Sequence, residues 1–565
     1  MKTDKFVLAA LFSKAVSSKD CSGSQGKVDC GYPGVTQQSC EDKGCCWVPV
    51  EAQNNLFLAV DQSTPDDTPW CFNAGSGPTP PPSPECDVST GERLDCGQLG
   101  STEADCEAAG CCWSPVDIWN PFEDPFKLSD TPWCFYKKGA NPCPAPTWDA
   151  KDPGFTDDFV ALMQKNFEAN LNIQGSGAVV AAPDHNTPGG NYYYHWMRDG
   201  ALSSLVYMQV NDNDYSKVHE VMTAYQGWVK TVQNKQDPNN IDVRVEPKFE
   251  IPSGDPYTGG WCRPQNDGPG LRANTLAKWG AILVNNKMED QAKNDVWPLM
   301  KNDLDWVMEN WLSDGCDLWE EIHSDDIFWN RMSQVYSLRG AADFADLIGE
   351  SGDDYRSKAD EIEKTLDNHW NGDYLWQSSN REKDGAVIHA ITTFGGKYGP
   401  TSKEAAATIK NYNTAFCLEW KINQHDNDAG VPGILYGRYL GDHYAGGNPW
   451  QLLTAVLAEC FYKGAVAMKE QMLENNGNDF PLATEEYGEW MDLLNLVEGS
   501  TASDYVAAAT AAGDSVMTRL WTHVKDDGGE IDEQIDRETG AQKSAKNLTW
   551  SYANVLNALH VRKNL

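Results

Sequence analysis

The most constraining feature of this chain is the uneven distribution of its cysteines. Thirteen of the seventeen lie before residue 144 of 565, and only Cys262, Cys316, Cys417 and Cys460 follow them. Such crowding is typical of small modules whose cores cannot stabilise them without disulfides, and disulfides persist in oxidising compartments. The sequence therefore predicts disulfide-stapled N-terminal modules followed by a larger domain of different construction.

The same cysteine spacing occurs twice in the N-terminal part. Cys30 and Cys96 each begin a C-x9-C-x4-C-C pattern that is followed by tryptophan, and both copies close with the string TPWCF. The proline-rich residues 77–85 between the copies favour an extended polyproline II spacer. Six cysteines allow fifteen connectivities, among which spacing alone does not choose. A zinc site is a less suitable interpretation of these cysteines, because zinc sites use C-x2-4-C pairs rather than adjacent cysteines.

Charge and composition restrict the partners of the chain. It has 45 Lys and Arg against 83 Asp and Glu, a formal net charge of −38, which argues against nucleic-acid and anionic membrane partners. No apolar run reaches the roughly 18 residues of a membrane span. Lys2 and Lys5 precede the apolar run FVLAALF, so residues 1–19 are interpreted as a secretory leader, the alternative being an ordinary terminus. We therefore expect a protein that is secreted or lies in the endomembrane lumen.

The strings CGYPGVTQQSCEDKGCCWVP and TPWCF resemble the trefoil (P-type) domain, and DCGQLGSTEADCEAAGCCWSP is similar but lacks the GYPG turn. The resemblance implies trefoil domains at 20–76 and 86–140. It also implies the disulfides Cys21–Cys46, Cys30–Cys45, Cys40–Cys71, Cys86–Cys112, Cys96–Cys111 and Cys106–Cys134. The other five cysteines are odd in number, so at least one is expected to stay unpaired or to pair outside the chain. Trefoil domains often bind glycans; Trp70 and Trp133 are therefore either sugar platforms or packing for a small core.

The residue pattern of 141–565 is typical of an all-α domain. Tyr355, Ala359, Ile362, Leu366 and Trp370 share one helical face, and alternating strand patterns are scarce. Similar helical runs occur around 157–171, 215–233, 270–285, 327–348, 403–416, 449–471, 502–524 and 545–562. One bundle cannot bury so many apolar faces. We infer a closed double ring of helices without interleaved strands, with its loops gathered at one end.

Aromatic and charged residues concentrate in five loops of this domain, at 191–202, 246–274, 316–322, 436–452 and 530–540, the last followed by 547–553. Sugars suit this mixture, because ring faces stack on aromatics while hydroxyls need charged or amide partners. Glycoside hydrolysis needs two carboxylates. Glu320 lies between Trp319 and Glu321, surroundings that favour a protonated acid. Spacing alone cannot pair it with Glu533.

These loops resemble those of the glucoamylase family of inverting α-glucosidases, whose fold is the (α/α)6 toroid. HWMRD, WCRPQNDGPGLR, DLWEE, GNPW and DEQID carry the resemblance, which covers about residues 144 to 562. It implies that Glu320 is the general acid and Glu533 the general base. The implied substrate-binding residues are Tyr192, Trp196, Arg198, Asp199, Trp261, Leu318, Trp319, Glu321, Arg438 and Trp550. Cys262 departs from the glycine that is usual after the lining tryptophan.

The resemblance implies an exo-acting, inverting glucan 1,4-α-glucosidase that releases β-glucose from the non-reducing ends of starch- or glycogen-type α-glucans. We expect a monomer that needs no metal or cofactor. H-E-x-x-H, Walker and G-x-S-x-G motifs are absent from the sequence. Two alternatives remain open: a hydrolase of the same fold for trehalose or α-1,6-glucan, and a glycan-binding protein with an inactive hydrolase domain.

Overall fold

The computed structural model describes residues 143–565 throughout and, before them, residues 28–29, 37, 40, 45–47, 71–73, 84–88, 93, 96, 102–108, 110–115 and 133–138. The chain forms two compact units, Met1–Ala140 and Asn141–Leu565. The interpretation of residues 1–19 as a leader lies outside the described residues. Among the described helices, none is long and apolar enough to cross a membrane.

Disulfides hold the first unit together. The structure pairs Cys40 with Cys71, Cys86 with Cys112, Cys96 with Cys111 and Cys106 with Cys134, which are pairs expected of trefoil domains. Cys45 and Cys46 are also disulfide-bonded, and their expected partners Cys30 and Cys21 lie outside the described residues. The bonded sulfurs are the centre of each small core.

The backbone elements of this unit are short. In the first copy, Val28–Asp29 and Cys46–Trp47 pair antiparallel with the two sides of Cys71–Asn73. In the second copy, Cys112–Trp113 pairs antiparallel with Cys134–Phe135. Its helix Glu103–Ala108 begins after Thr102, whose hydroxyl accepts from the Asp105 N–H while the Asp105 carboxylate accepts from the Thr102 N–H. This reciprocal cap satisfies donors that a helix of one and a half turns cannot satisfy itself.

The structure describes one of the two tryptophans that were proposed as sugar platforms. Trp133 is 44% exposed and meets Trp113 edge to face, with 6.0 Å between the ring centroids. Trp70 lies outside the described residues. Trp133 therefore packs on one edge and is open to solvent elsewhere, and its binding of sugar stays a prediction.

The second unit is helical. Its helices are α1 (Asp157–Ala169), α2 (Met197–Val210), α3 (Tyr215–Gln233), α4 (Gly268–Asn285), α5 (Trp297–Asn310), α6 (Phe328–Leu347), α7 (Asp353–Glu363), α8 (Gly385–Phe394), α9 (Lys403–Glu419), α10 (Lys421–Asp428), α11 (Gln451–Glu474), α12 (Thr484–Leu493), α13 (Ala502–Val524) and α14 (Thr549–Lys563). The short helix Glu289–Gln291 and the π-helical Ala292–Val296 lead into α5.

Six of these helices form a closed ring. Helix α2 contacts α4, which contacts α6, and the series continues through α8, α11 and α14 back to α2. Helices α1, α3, α5, α7, α9 and α13 alternate with them along the chain and pack against them. This arrangement confirms the all-α (α/α)6 toroid.

Burial distinguishes the two layers. The inner helix α2 buries every residue from Met197 to Met208, whereas the outer helix α1 buries only Met163 and Phe167. A helix that touches neighbours on all sides must be buried all round, and one with a solvent face needs a single apolar stripe. The periodicity identified outer helices such as α1, α3 and α13 and the inner helices α4, α6, α11 and α14, and it missed the inner helices α2 and α8.

The expectation of no interleaved strands is wrong. Three antiparallel pairs of two-residue strands lie in the polar loops of residues 143–565: His195–Trp196 with Lys248–Phe249, Gly315–Cys316 with His323–Ser324, and Gln534–Ile535 with Gln542–Lys543. Two residues are too few to show the alternation by which a strand is recognised. The predicted helical face from Tyr355 to Trp370 is also interrupted, because α7 ends at Glu363 and 3-10 geometry follows over Lys364–His369.

The remaining cysteines behave as their odd number requires. Cys143 pairs with Cys417 and Cys262 with Cys316, which leaves Cys460 as the free thiol of residues 143–565. Cys460 is buried in α11, and burial raises its pKa to about 12. Its thiol therefore stays protonated and unreactive.

Candidate active site

A cavity of about 380 Å³ lies among the polar loops that lead into the inner helices. Trp196 and Trp450 immediately precede α2 and α11, and Trp550 is in the first turn of α14. The cavity brings together all the predicted catalytic and binding residues: Tyr192, Trp196, Arg198, Asp199, Trp261, Leu318, Trp319, Glu320, Glu321, Arg438, Glu533 and Trp550. Helix N-termini carry partial positive charge, so this end of the ring favours carboxylates and developing negative charge.

Glu320 is held in a turn that Asp317 organises. The Glu320 backbone has a φ of +67°, in the left-handed region that a side chain rarely adopts, and its N–H donates to the Asp317 carbonyl at 3.0 Å. The Asp317 carboxylate accepts from the N–H groups of Glu321 and Ile322 at 2.8 and 3.0 Å. Strain of this kind persists where the surroundings over-determine it, which is common at functional sites.

The Glu320 carboxylate receives two directed hydrogen bonds. Its Oε1 accepts from Trp196 Nε1 and from Gln265 Nε2, each at 2.8 Å, and Nη2 of Arg198 lies 3.8 Å away. The indole at this carboxylate is therefore that of Trp196 and not of the sequence neighbour Trp319, whose Nε1 donates to Asp384 at 2.9 Å. The expectation that Trp319 provides the indole environment of Glu320 is not met in this geometry.

Glu533 is 1% exposed and hydrogen-bonded through both oxygens. Its Oε1 accepts from the Tyr192 hydroxyl at 2.9 Å, and its Oε2 accepts from Ser544 Oγ and from Gln534 Nε2. Burial raises the pKa of Glu533 to about 7, while the bonds from Ser544 and Tyr192 oppose that rise. Burial also raises the pKa of Tyr192 well above its ordinary value, so its hydroxyl remains a donor.

Replacement of Ser544 by alanine is expected to move the acid limb of kcat/KM to higher pH by about 1 unit, given the strength of a hydrogen bond to a charged group. The hydroxyl stabilises the ionised form of Glu533, so its loss raises the pKa of Glu533, and a higher pH is then needed to ionise the carboxyl. A pH profile of kcat/KM measures the shift. Ser176→Ala is the control, because that hydroxyl donates to the Ile173 backbone outside the cavity lining. An unchanged acid limb in Ser544→Ala would contradict the assignment of Glu533 as the group whose ionisation sets that limb.

Arg198 and Asp199 open α2 beneath the cavity. Nη1 of Arg198 donates to Gln265 Oε1 at 2.9 Å and to Asp267 Oδ2 at 3.3 Å. Burial raises the pKa of Asp199 to about 7, and the Arg198 charge opposes this. Buried charges of this kind need partners. Gln265 and Asp267 supply them and were not singled out from the sequence, although both lie in the second polar loop.

Arg438 is a second buried cation in the cavity lining. Its Nε and Nη2 donate to the two Asp442 oxygens at 2.8 and 2.6 Å, and Nη2 also lies 2.8 Å from Glu321 Oε1. The other Glu321 oxygen accepts from Arg381 at 2.7 Å and from the Tyr439 hydroxyl. Two-point pairing fixes the plane of the Arg438 guanidinium and leaves its remaining donor edge available for a bound hydroxyl.

Two groups of aromatic rings form the walls. Trp319 lies between Trp450 and Trp550, with ring centroids 5.4 and 6.2 Å from its own, and Trp196 meets Trp261 at 5.7 Å. The Nε1 atoms of Trp261, Trp450 and Trp550 are buried and have no hydrogen-bond partner among residues 143–565. Trp450 was not predicted as a site residue, although it belongs to the GNPW string that carried the resemblance.

Lys248 is a further residue that sequence reasoning missed. It is 3% exposed and lies opposite Trp196 in the antiparallel strand pair. Its Nζ is 3.7 Å from the ring centroid of Trp261 and 4.3 Å from those of Tyr194, Trp196 and Tyr257. Burial lowers the pKa of Lys248 to about 8. A lysine in a polar loop ordinarily indicates a solvated charge, so nothing in the string EPKFE signals this cage.

A ring of helices around an aromatic cavity with two carboxylates on separate loops is an arrangement that suits a glycoside hydrolase. The model of glycosyl hydrolases family 15 matches residues 161–560, and that of the trefoil (P-type) domain matches residues 21–74 and 86–137. The chain belongs to glycosyl hydrolase family 15 and carries two trefoil domains.

Glucoamylases are among its relatives. Glucoamylase-1 of Schizophyllum commune is 32% identical over 427 residues, which cover 71% of this chain and 72% of the relative. Glucoamylase of Neurospora crassa is 31% identical over 428 residues, covering 70% and 66%. Among solved structures, the family 15 glucoamylase from Hypocrea jecorina matches with a TM-score of 0.65 and 28% identity over 72% of each chain.

Proposed function

We propose that the protein is an exo-acting, inverting glucan 1,4-α-glucosidase that releases β-glucose from the non-reducing ends of starch- or glycogen-type α-glucans. The observation that carries the proposal is the convergence of Glu320 and Glu533 on one aromatic cavity, where Trp196 donates to Glu320 and Tyr192 donates to Glu533. Arg198, Asp199 and Arg438 supply the charged groups that a terminal sugar needs for its hydroxyls.

In this mechanism Glu320 protonates the glycosidic oxygen as the oxocarbenium-like transition state forms. Trp196 and Gln265 hold the acting carboxyl through its Oε1, and Nη2 of Arg198 lies 3.8 Å from the same oxygen. Glu533 removes a proton from water that attacks the anomeric carbon from the opposite face. Tyr192 and Ser544 favour the ionised form of Glu533 and orient its carboxylate. Trp319 and Trp550 form a platform for the sugar ring, and Leu318 and Glu321 extend the binding site.

Proton NMR of fresh product from soluble starch tests this proposal, because almost every glucose released from a long chain comes from a non-reducing end. We expect β-glucose before mutarotation, because water enters opposite the departing group. Initial α-glucose would show retention and overturn the mechanism. Trehalose and isomaltose in the same assay test the alternative substrates, and failure on all three would favour a glycan-binding protein with an inactive hydrolase domain.

Replacement of Lys248 by methionine is expected to lower kcat/KM for maltose about 10-fold, given the strength of a desolvated cation–π contact. The ammonium attracts Trp196 and Trp261 to fixed positions, and Trp196 in turn holds Glu320. Methionine keeps the length and the apolar stem but removes the charge. Steady-state kinetics measure the effect, and Lys248→Arg is the matched variant that keeps a cation. The melting temperature of each variant, measured in parallel, distinguishes misplaced tryptophans from a less stable fold. A parental kcat/KM in Lys248→Met would count against the positioning role of Lys248.

We also propose that the enzyme is a secreted or endomembrane-lumenal monomer. Support comes from the disulfides of both units, which persist only in an oxidising compartment. The trefoil domains are proposed to bind glycans, with the half-open Trp133 as one platform. A glucan carries no charge, so the net charge of −38 serves solubility and not substrate attraction.

A further inference from the structure

One disulfide joins two loops of the active-site cavity. Cys262 follows Trp261 and lines the cavity, and its partner Cys316 lies four residues before Glu320. The two loops also share a backbone bridge, in which the Cys316 N–H donates to the Pro264 carbonyl at 2.8 Å. The disulfide therefore couples an aromatic wall to the loop of the proposed general acid.

The two sulfurs have different surroundings. Cys262 is partly exposed at the cavity, whereas Cys316 is 1% exposed. Sγ of Cys316 lies 3.2 Å from Nε2 of His323, its partner in the antiparallel strand pair. Nδ1 of His323 lies 3.2 Å from Oδ2 of Asp314. The Asp314 carboxylate holds a proton on Nδ1, so Nε2 carries an N–H only in the imidazolium form; an imidazolium beside a sulfur stabilises the thiolate, and a stabilised thiolate leaves faster in exchange. Cys262 is thus the sulfur open to attack, and Cys316 is the better leaving group.

We propose that Cys262–Cys316 is a reducible positioning element of this active site, opened by low-mass thiols that enter through the cavity. The effect on turnover rests on the proposed function, whereas the order in which disulfides open does not. Without the Cys262–Cys316 disulfide, the two loops would still be joined by the backbone bridge and by the Gln265–Glu320 hydrogen bond.

The exchange proceeds in two balanced steps. An external thiolate attacks Sγ of Cys262, a mixed disulfide forms, and the electron pair of the broken bond stays on Sγ of Cys316 beside His323. A second external thiolate attacks the external sulfur of the mixed disulfide and releases Cys262 as a thiolate. The external thiol is oxidised to its disulfide dimer, the protein disulfide is reduced to two thiols, and the protons of the external thiols are transferred to them.

The test treats the full chain with graded dithiothreitol, alkylates the freed thiols and identifies them by peptide mass spectrometry. We expect Cys262 and Cys316 to be labelled before Cys143 and Cys417, with kcat/KM on maltose falling about 10-fold in step, as expected for misplaced catalytic groups. Reoxidation should restore activity. Saturating maltose in the Glu320→Gln variant should slow the labelling, because a bound sugar covers the path to Cys262.

Two variants sharpen the test. His323→Gln should keep the activity of the oxidised enzyme and slow the opening of Cys262–Cys316 several-fold, since glutamine cannot carry the imidazolium charge that stabilises the leaving thiolate. A Cys262→Ser/Cys316→Ser double variant should match the reduced enzyme and should no longer respond to dithiothreitol. Reduction of the native protein gives the same information if that variant does not fold.

The proposal is overturned if Cys262 and Cys316 resist dithiothreitol while other disulfides open, or if both are labelled and kcat/KM stays unchanged. If the oxidised enzyme does not act on maltose at all, the proposed function fails. The order of labelling and the effect of His323→Gln then still decide the exchange chemistry.

Discussion

Replacement of Glu320 by glutamine is expected to lower kcat on maltose by a factor of about 1,000 or more, a typical contribution of acid–base catalysis at an unreactive leaving group. The amide keeps the size of the side chain and its acceptor for Trp196 Nε1, but it carries no transferable proton. Steady-state kinetics on maltose measure the loss. KM should change little, because binding of the sugar relies mainly on Arg198, Arg438 and the tryptophans.

A second substrate separates loss of the acid from loss of structure. α-Glucosyl fluoride has a leaving group that needs little protonation, so Glu320→Gln should retain most of its activity on it. Glu321→Gln is the neighbouring control: that carboxylate pairs with Arg438 and Arg381, so its loss should raise KM more than it lowers kcat. Parental turnover of maltose by Glu320→Gln would remove this residue from the acid role.

Replacement of Glu533 by glutamine is expected to lower kcat by a similar factor on both maltose and α-glucosyl fluoride, because attack by water needs a base whatever group departs. The amide nitrogen would also face either Tyr192 or Ser544, because these two hydroxyls donate to different carboxylate oxygens of the parent. The two substrates thus distinguish the two glutamates.

Azide provides the positive control for Glu533, since it attacks without giving up a proton. It should restore turnover of α-glucosyl fluoride in Glu533→Gln and yield β-glucosyl azide. Asp532→Asn is the matched neighbour, whose carboxylate accepts from the Asn547 N–H and does not line the cavity, and it should retain near-parental kcat. Full activity of Glu533→Gln, or an α-azide product, would refute the inverting assignment.

Much of the architecture could be predicted from residue patterns. Spacing such as that of Cys30 and Cys96 indicated two stapled modules, since disulfide frameworks leave a direct trace in sequence. The 3.6-residue period identified outer helices such as α13, since one of their faces meets water. Four inner helices were predicted as well, whereas α2 and α8 were missed: both are buried on almost every side, so no polar face marks them in the sequence.

The candidate active site could likewise be predicted only in part. The strings DLWEE and DEQID predicted which carboxylates matter, because their residue types are set by chemistry. Their convergence came from resemblance, since Glu320 and Glu533 meet only when the helical ring closes. Trp196 and not Trp319 contacts Glu320, because a left-handed turn directs that carboxylate away from its neighbour.

The sequence by itself determined the two disulfide modules, the helical class of the long domain and the identity of the charged and aromatic residues available to a sugar. Tertiary structure alone decided the cage around Lys248 and the bond between Cys262 and Cys316. Both depend on loops far apart in the chain. A pair of two-residue strands joins the Trp196 and Lys248 loops, and the hydrogen bond from the Cys316 N–H to the Pro264 carbonyl joins the loops of the disulfide. Sequence records local periodicity and composition, whereas such contacts arise only when the ring of inner helices places its loops at a common end.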